Sequence, residues 1–287
     1  MMNIYLLTNI SEMRSIFNFN RISTDISETL RRLETGQRIL SGKDDPAGLT
    51  LREIMRADIR GIQAAQKNTM MSNELLSAAE GGLASISRML LGDINDRDDN
   101  GLLGLIYDDT LPTDMKRQHI NDILSLIDGT ARSTAYNGKR PLDGSMQDVL
   151  FQLGKDVQDS MQYRFSLPSM TTTHLGGASG TLNELRTIDL DTEEGKATAY
   201  SIINEAVNMV AKQRGTIGTV QKHVLDSNAK YLDTQLEKVS EAEGLLSNAD
   251  MALESSRLNR SELLAQSAMK AILYSRNFGQ FILNALL

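Results

Sequence analysis

The sequence predicts a mainly α protein: an elongated antiparallel helical rod of coiled-coil type, formed by the N- and C-terminal halves, with a small β-containing cap in the middle. Three observations lead there. All four prolines, Pro46, Pro112, Pro141 and Pro168, fall in the central part of the chain, so both ends lack the residue that costs a helix interior about 3 kcal/mol. Apolar residues recur at alternating steps of three and four, the spacing of a coiled-coil seam. With no Trp, no Cys and only 5% aromatic residues, the chain has thin material for a compact aromatic core.

The first helical pattern carries Ile22, Ile26, Leu30 and Leu33. It is interrupted by RILSGKDDPAGLTL, Arg38 to Leu51. Gly42 can release the chain from one helix, Asp44 or Asp45 can cap the free N–H groups of the next, and Pro46 suits a first helical turn. The second pattern runs through Leu76, Ala79, Leu83, Ile86 and Leu90. Gly81 and Gly82 should each cost about 1 kcal/mol inside that helix, so a helix break or a close contact is expected there.

The middle is different. YNGKRPLDGS (Tyr136 to Ser145) is dense in turn residues, and VLFQLG (Val149 to Gly154) and YRFSLP (Tyr163 to Pro168) alternate like strands, which predicts one β-hairpin or a small sheet. A polar loop, SMTTTHLGGASGTLNE, follows, with Thr171 to Thr173 as candidate glycosylation acceptors.

In the C-terminal half the seam runs Leu225, Asn228, Leu232, Gln235, Val239, Ala242, Leu246, Ala249, Leu253, with polar residues at two stations. A last segment continues it through Leu264, Ala268, Ala271, Ser275, Phe278, Ile282 and Ala285. Helices of ~40 residues are ~60 Å long, longer than a compact domain needs. The end of the chain, including Phe278, Ile282 and Leu286, is apolar on more than one stripe. Such a terminus must be buried, and the expectation is burial against neighbouring copies or ordering on binding.

Charge narrows the function classes. The net charge is −7 and the pI near 5.1, which argues against nucleic-acid backbone binding, since that needs clustered cations. Between Leu91 and Thr110 stand Asp93, Asp96, Asp98, Asp99, Asp108 and Asp109 against the single Arg97. Asp96, Asp98 and Asn100 followed by Gly101 match the first half of an EF-hand-type loop, whose alternating oxygen ligands suit calcium. The twelfth position is Tyr107 rather than Glu, with Asp108 one residue late. A weak calcium site and a solvated acidic turn are the two readings.

No nucleophile, base or metal set converges. His119, His174 and His223 are scattered, no H-E-x-x-H or G-x-S-x-G occurs, and LGGASG lacks the Lys of a phosphate loop, so neither enzyme activity nor a cofactor is expected. No uninterrupted apolar run approaches the ~20 residues that span a bilayer. The N-terminus lacks a basic region and a cleavage site of signal-peptide type, so no membrane insertion and no cleaved signal are expected.

Several segments resemble bacterial flagellin, in order and over essentially the whole chain. TGQRILSGKDDPAGL and IRGIQAAQKNTMMSNELLSAAEGGL are similar to the family's N-terminal half, YNGKRPLDG and FQLGKD to its central signatures, and RGTIGTVQKHV, SNADMALESSRLNRSELLAQSA and LNALL to its C-terminal half. The resemblance implies a short form with a reduced outer domain. Residues 1–45 and 255–287 would form the terminal helices of an inner filament tube, 46–138 and 193–254 a helical rod, and 139–192 a small β-hairpin and loop tip. It also implies a self-assembling helical homopolymer, the extracellular flagellar filament, and partners comprising an export chaperone and hook-associated proteins. The assembly residues it points to are Ile22, Ile26, Leu30, Leu33, Asp44, Asp45, Leu264, Ala268, Ala271, Phe278, Ile282 and Leu286. The family's basic residues after the Glu-Gly-x-Leu segment, which animal innate receptors recognise, are replaced here by Gly92 and Ile94. A hook–filament junction protein is the alternative favoured by KDDPAG. A helical-stalk adhesin or calcium-binding interaction module is the alternative of another class.

Overall fold

The computed structural model describes residues 10–92, 101–108, 110–156 and 162–286. The chain is mainly helical, with two small two-stranded antiparallel sheets. It divides into two compact units, one built from residues 1–57 and 238–287, the other from 58–237.

In the first unit, α1 (Ile10–Thr35) packs against α7 (Met251–Leu286). The pair is antiparallel, because an isolated β-bridge joins Gln37 just past the end of α1 to Asn248 just before the start of α7. The beginning of α2 (Pro46–Leu91) and the end of α6 (Asp226–Ser247) complete this unit.

The second unit has a helical core with a β-containing flank. Leu76, Ala79, Leu83, Ile86 and Leu90, the seam read from the sequence, are all fully buried on α2. They share one core with Ile120, Leu124, Ile127 and Ala131 of α4 (Thr113–Ser133) and with Ala199, Ile202, Ala206 and Val210 of α5 (Glu193–Thr219). Each set repeats at three and four residues, so each helix offers one stripe to the others. The short α3 (Gly101–Tyr107) adds Leu102, Leu105 and Ile106 to that core. A π-helical stretch, Val220–Leu225, joins α5 to α6.

The expected hairpin is present: β1 (Val149–Gln152) pairs with β2 (Gln162–Phe165), Val149 opposite Phe165. Period-two alternation puts Phe151 and Phe165 on the buried face, where their rings stack at 6.0 Å. Tyr136 and Lys139 bridge across Asn137 and Gly138, both at positive φ. That is the geometry a two-residue Asn-Gly turn provides. The ministrands β3 (Gly176–Gly177) and β4 (Gly180–Thr181) lie against α5.

The two interior glycines resolve into different roles. The helix runs unbroken through both. A Cβ on Gly82 would lie 2.5 Å from Leu142 Cδ1 and 2.7 Å from Thr134 Oγ1, whereas one on Gly81 would meet nothing within 4 Å. Close approach of the 134–142 segment explains Gly82.

Candidate assembly surface

The connection between α1 and α2 is a closed hydrogen-bond circuit. Release of the first helix occurs at Gly36, φ +66°, rather than at Gly42; glycine adopts this left-handed C-terminal conformation without steric cost. The Gly36 carbonyl then accepts from Ala249 N at 2.9 Å, and Arg38 N donates to Ser247 O at 2.7 Å. The α1–α2 loop is thereby stitched to the α6–α7 loop.

Both aspartates of the interruption have distinct duties. Asp44 Oδ2 accepts from the N–H groups of Leu40 (3.1 Å) and Ser41 (2.9 Å) and from the Ser41 hydroxyl (3.1 Å). Burial works against the charge, but these bonds, with Arg32 adding attraction, outweigh it and hold the Asp44 carboxyl below the usual carboxylate range. Asp45 Oδ1 accepts from Gly48 N at 2.9 Å, capping α2 with Pro46 as its first residue. Behind the loop the buried Arg52 donates through Nη1 to Ile39 O at 2.5 Å.

Along α1 the half-buried or buried positions include Ile22, Ile26, Thr29 and Leu33, a four-three-four run. On α7 they are Glu254, Leu258, Ser261, Ala265, Ala268, Ile272 and Ser275, again alternating four and three. The intramolecular seam thus uses Ile22, Ile26, Leu33 and Ala268 of the expected assembly residues. Leu30, Leu264 and Ala271 lie outside it and are exposed. The side chains of Phe278, Ile282 and Leu286 lie outside the described residues. Near the loop, buried Glu254 ties the pair together, with Arg257 at 2.7 Å and Arg32 at 3.8 Å on the same oxygen.

Thr29, Arg52 and Glu254 were missed from the sequence. Thr29 had a signal, since it supplies the three-residue step between Ile26 and Leu33. Arg52 and Glu254 had none, because charged residues on a helix are ordinarily solvated.

Among the polar residues on its outer side, the pair leaves a set of large apolar side chains exposed. Ile10, Met13, Ile16 and Phe17 on α1 and Leu263, Leu264, Met269, Leu273 and Tyr274 on α7 are exposed, Phe17 at 66% and Tyr274 at 77%. Large apolar residues grouped in this way mark a surface that another molecule covers.

Other candidates are placed as follows. Asp96, Asp98 and Asn100 lie outside the described residues. The Asp108 carboxylate accepts from the Thr110 hydroxyl and N–H (2.5 and 2.9 Å), which hold it below its usual range. Among the described residues no group of three His, Asp or Glu side chains could hold a metal, and no helix is long and apolar enough to cross a membrane. Thr171 and Thr172 are buried, Thr172 being held by Asp128 at 2.8 and 2.9 Å, while Thr173 is exposed beside His174.

A mainly helical chain whose paired end regions carry large exposed apolar side chains has the character of a structural subunit, and its relatives agree. The model of the bacterial flagellin N-terminal helical region matches residues 6–147, and that of the C-terminal helical region residues 200–286. The chain is 27% identical to the flagellin of Bacillus subtilis over 93% of its own length and 95% of the relative's. It is 25% identical to the flagellar filament 30.7 kDa core protein of Treponema maltophilum, over 90% and 91%. A solved structure described as a flagellar hook-associated protein of Vibrio parahaemolyticus shares the fold at TM-score 0.55 and 14% identity, covering 71% of this chain and 99% of that one. The chain belongs to the flagellin family. It is a structural subunit of the flagellar filament, an extracellular appendage built by self-polymerisation.

Proposed function

We propose that polymerisation is driven by burial of the outward apolar residues of α1 and α7 against other copies, while the unit of residues 58–237 makes lateral contacts. The observation that carries this reading is the exposed set Met13, Phe17, Leu264, Met269, Leu273 and Tyr274 on two helices already paired with each other. Burying a large apolar side chain contributes about 1.5–3 kcal/mol, so repetition at every subunit offsets the entropic cost of association. Ile22, Ile26, Leu33 and Ala268 shape this surface from beneath by setting the α1–α7 seam. Leu30, Leu264 and Ala271 face the neighbour, and Phe278, Ile282 and Leu286 extend the same role to the chain end. Asp44 and Asp45 fix the loop from which both helices depart.

In this reading the protein carries out no catalysis. It leaves the cell escorted by an export chaperone, and its filament meets hook-associated proteins at the base. Deleting residues 268–287 tests the drive. The expected product is a folded, soluble monomer by circular dichroism that never polymerises; filaments from that truncation would overturn the proposal.

A further inference from the structure

The chain has 14 methionines and neither Cys nor Trp, so the thioether is its only sulfur chemistry. The methionines are unevenly protected. Met146 and Met170 are fully enclosed in the core of the second unit. Met13 on α1 is 44% exposed and Met269 on α7 is 52% exposed. Met70, Met115 and Met251 are exposed as well, at 67%, 47% and 49%, but none belongs to the stretch of the helix pair that Met13 and Met269 share with Phe17 and Leu273.

Their positions along the helix pair are related. The register joins Gln37 to Asn248 and Arg32 to Glu254. Continued one residue forward on α7 for each residue back on α1, it sets Phe17 level with Met269 and Met13 level with Leu273. Four exposed apolar side chains, two of them methionines, therefore occupy two adjacent levels of the pair, about one helical turn apart, outside its seam.

We infer that Met13 and Met269 form a redox-sensitive modification site whose sulfoxidation blocks addition of the subunit to a filament. This rests on the assembly reading above. Hydrogen peroxide or a comparable two-electron oxidant transfers one oxygen atom to the sulfur: the S–O bond forms, the O–O bond breaks, the sulfur is oxidised and water leaves. The product is a polar, chiral sulfoxide in place of a flexible apolar thioether. On a free subunit the reaction costs little. On a surface that must be buried, the sulfoxide oxygen must shed its water with no partner provided. Sulfoxide reductases return the thioether, which makes the block reversible.

The test uses the full-length monomer, treated with hydrogen peroxide, quenched, and offered to short filament seeds. Peptide mass mapping should find oxygen on Met13 and Met269 before Met146 and Met170. Elongation should fall on the order of ten-fold or more per oxidised methionine, and treatment with both epimer-specific reductases should restore it. The Met13→Leu/Met269→Leu variant should elongate equally well before and after peroxide. Undiminished elongation of the oxidised wild type, or equal loss in the double variant, overturns the inference while leaving the assembly reading intact. Failure of untreated wild-type subunits to elongate would overturn the assembly reading itself, and this inference with it.

Discussion

The Asn228 side-chain amide donates to Thr69 Oγ1 at 3.0 Å, and its second N–H to the carbonyl of Leu153 at 2.9 Å. A polar station in the seam thus joins α6 to α2 and to the residue that follows β1. Such residues commonly fix register between paired helices. Asn228→Ala leaves the Leu153 carbonyl without this donor, and the expected loss is about 1–3 kcal/mol. Urea unfolding followed by circular dichroism measures it; Gln235→Ala, on an exposed-side contact with Tyr231, should cost far less.

The adjacent glycines of α2 should respond with opposite signs. Gly82→Ala forces a Cβ against Leu142 and Thr134 and is expected to destabilise by about 1–3 kcal/mol. Gly81→Ala finds open space and should stabilise by about 0.5–1 kcal/mol through the gain in helix propensity. Thermal melts of the two variants check the contrast.

Asp45→Ala removes the cap of α2 at Gly48 N and should cost about 1 kcal/mol. Asp44 has a further signature. Its folded-state carboxyl titrates below the unfolded one, so its contribution is present above the unfolded value, near 3.9, and disappears as pH falls through the folded value. Stability measured from neutral pH down to about pH 3 should therefore fall less steeply in Asp44→Asn than in the wild type.

At the alkaline end Lys155 carries the opposite sign. Its bond to Asp58 at 2.6 Å is the main cause that raises its folded-state value above 10.5, against the smaller opposing effect of burial. The stabilisation is present below the unfolded value and is lost as pH rises through the folded one. Both groups are about one-third exposed, so the effect is small. Lys155→Met should flatten the decline in stability above about pH 10.5.

Legibility in the sequence followed how many alternatives the local chemistry allowed. Leu76 to Leu90 could be read because leucine and isoleucine alternate there with polar residues, leaving a single stripe. The hairpin could be read because Phe151 and Phe165 sit in alternating runs. In α7 several overlapping stripes are available among Leu, Ala, Ser and Met, so periodicity alone does not separate the seam of Ser261, Ala265 and Ala268 from the outward Leu264 and Ala271. The helix end at Gly36 rather than Gly42 turns on a positive φ, which two nearby glycines could equally have supplied. The pairing of half-buried Arg32 with buried Glu254 depends on a long-range return of the chain that no local pattern encodes.

The most direct test of the central claim is electron microscopy of purified full-length protein incubated with short filament seeds. Burial of the outward faces of α1 and α7 predicts long, uniform filaments from the wild type and none from Phe17→Asp/Leu273→Asp, a variant whose seam and helical content are retained. Filaments from that variant equal in number and length to those of the wild type, or short capped rings or no polymer from a folded wild type, would contradict it.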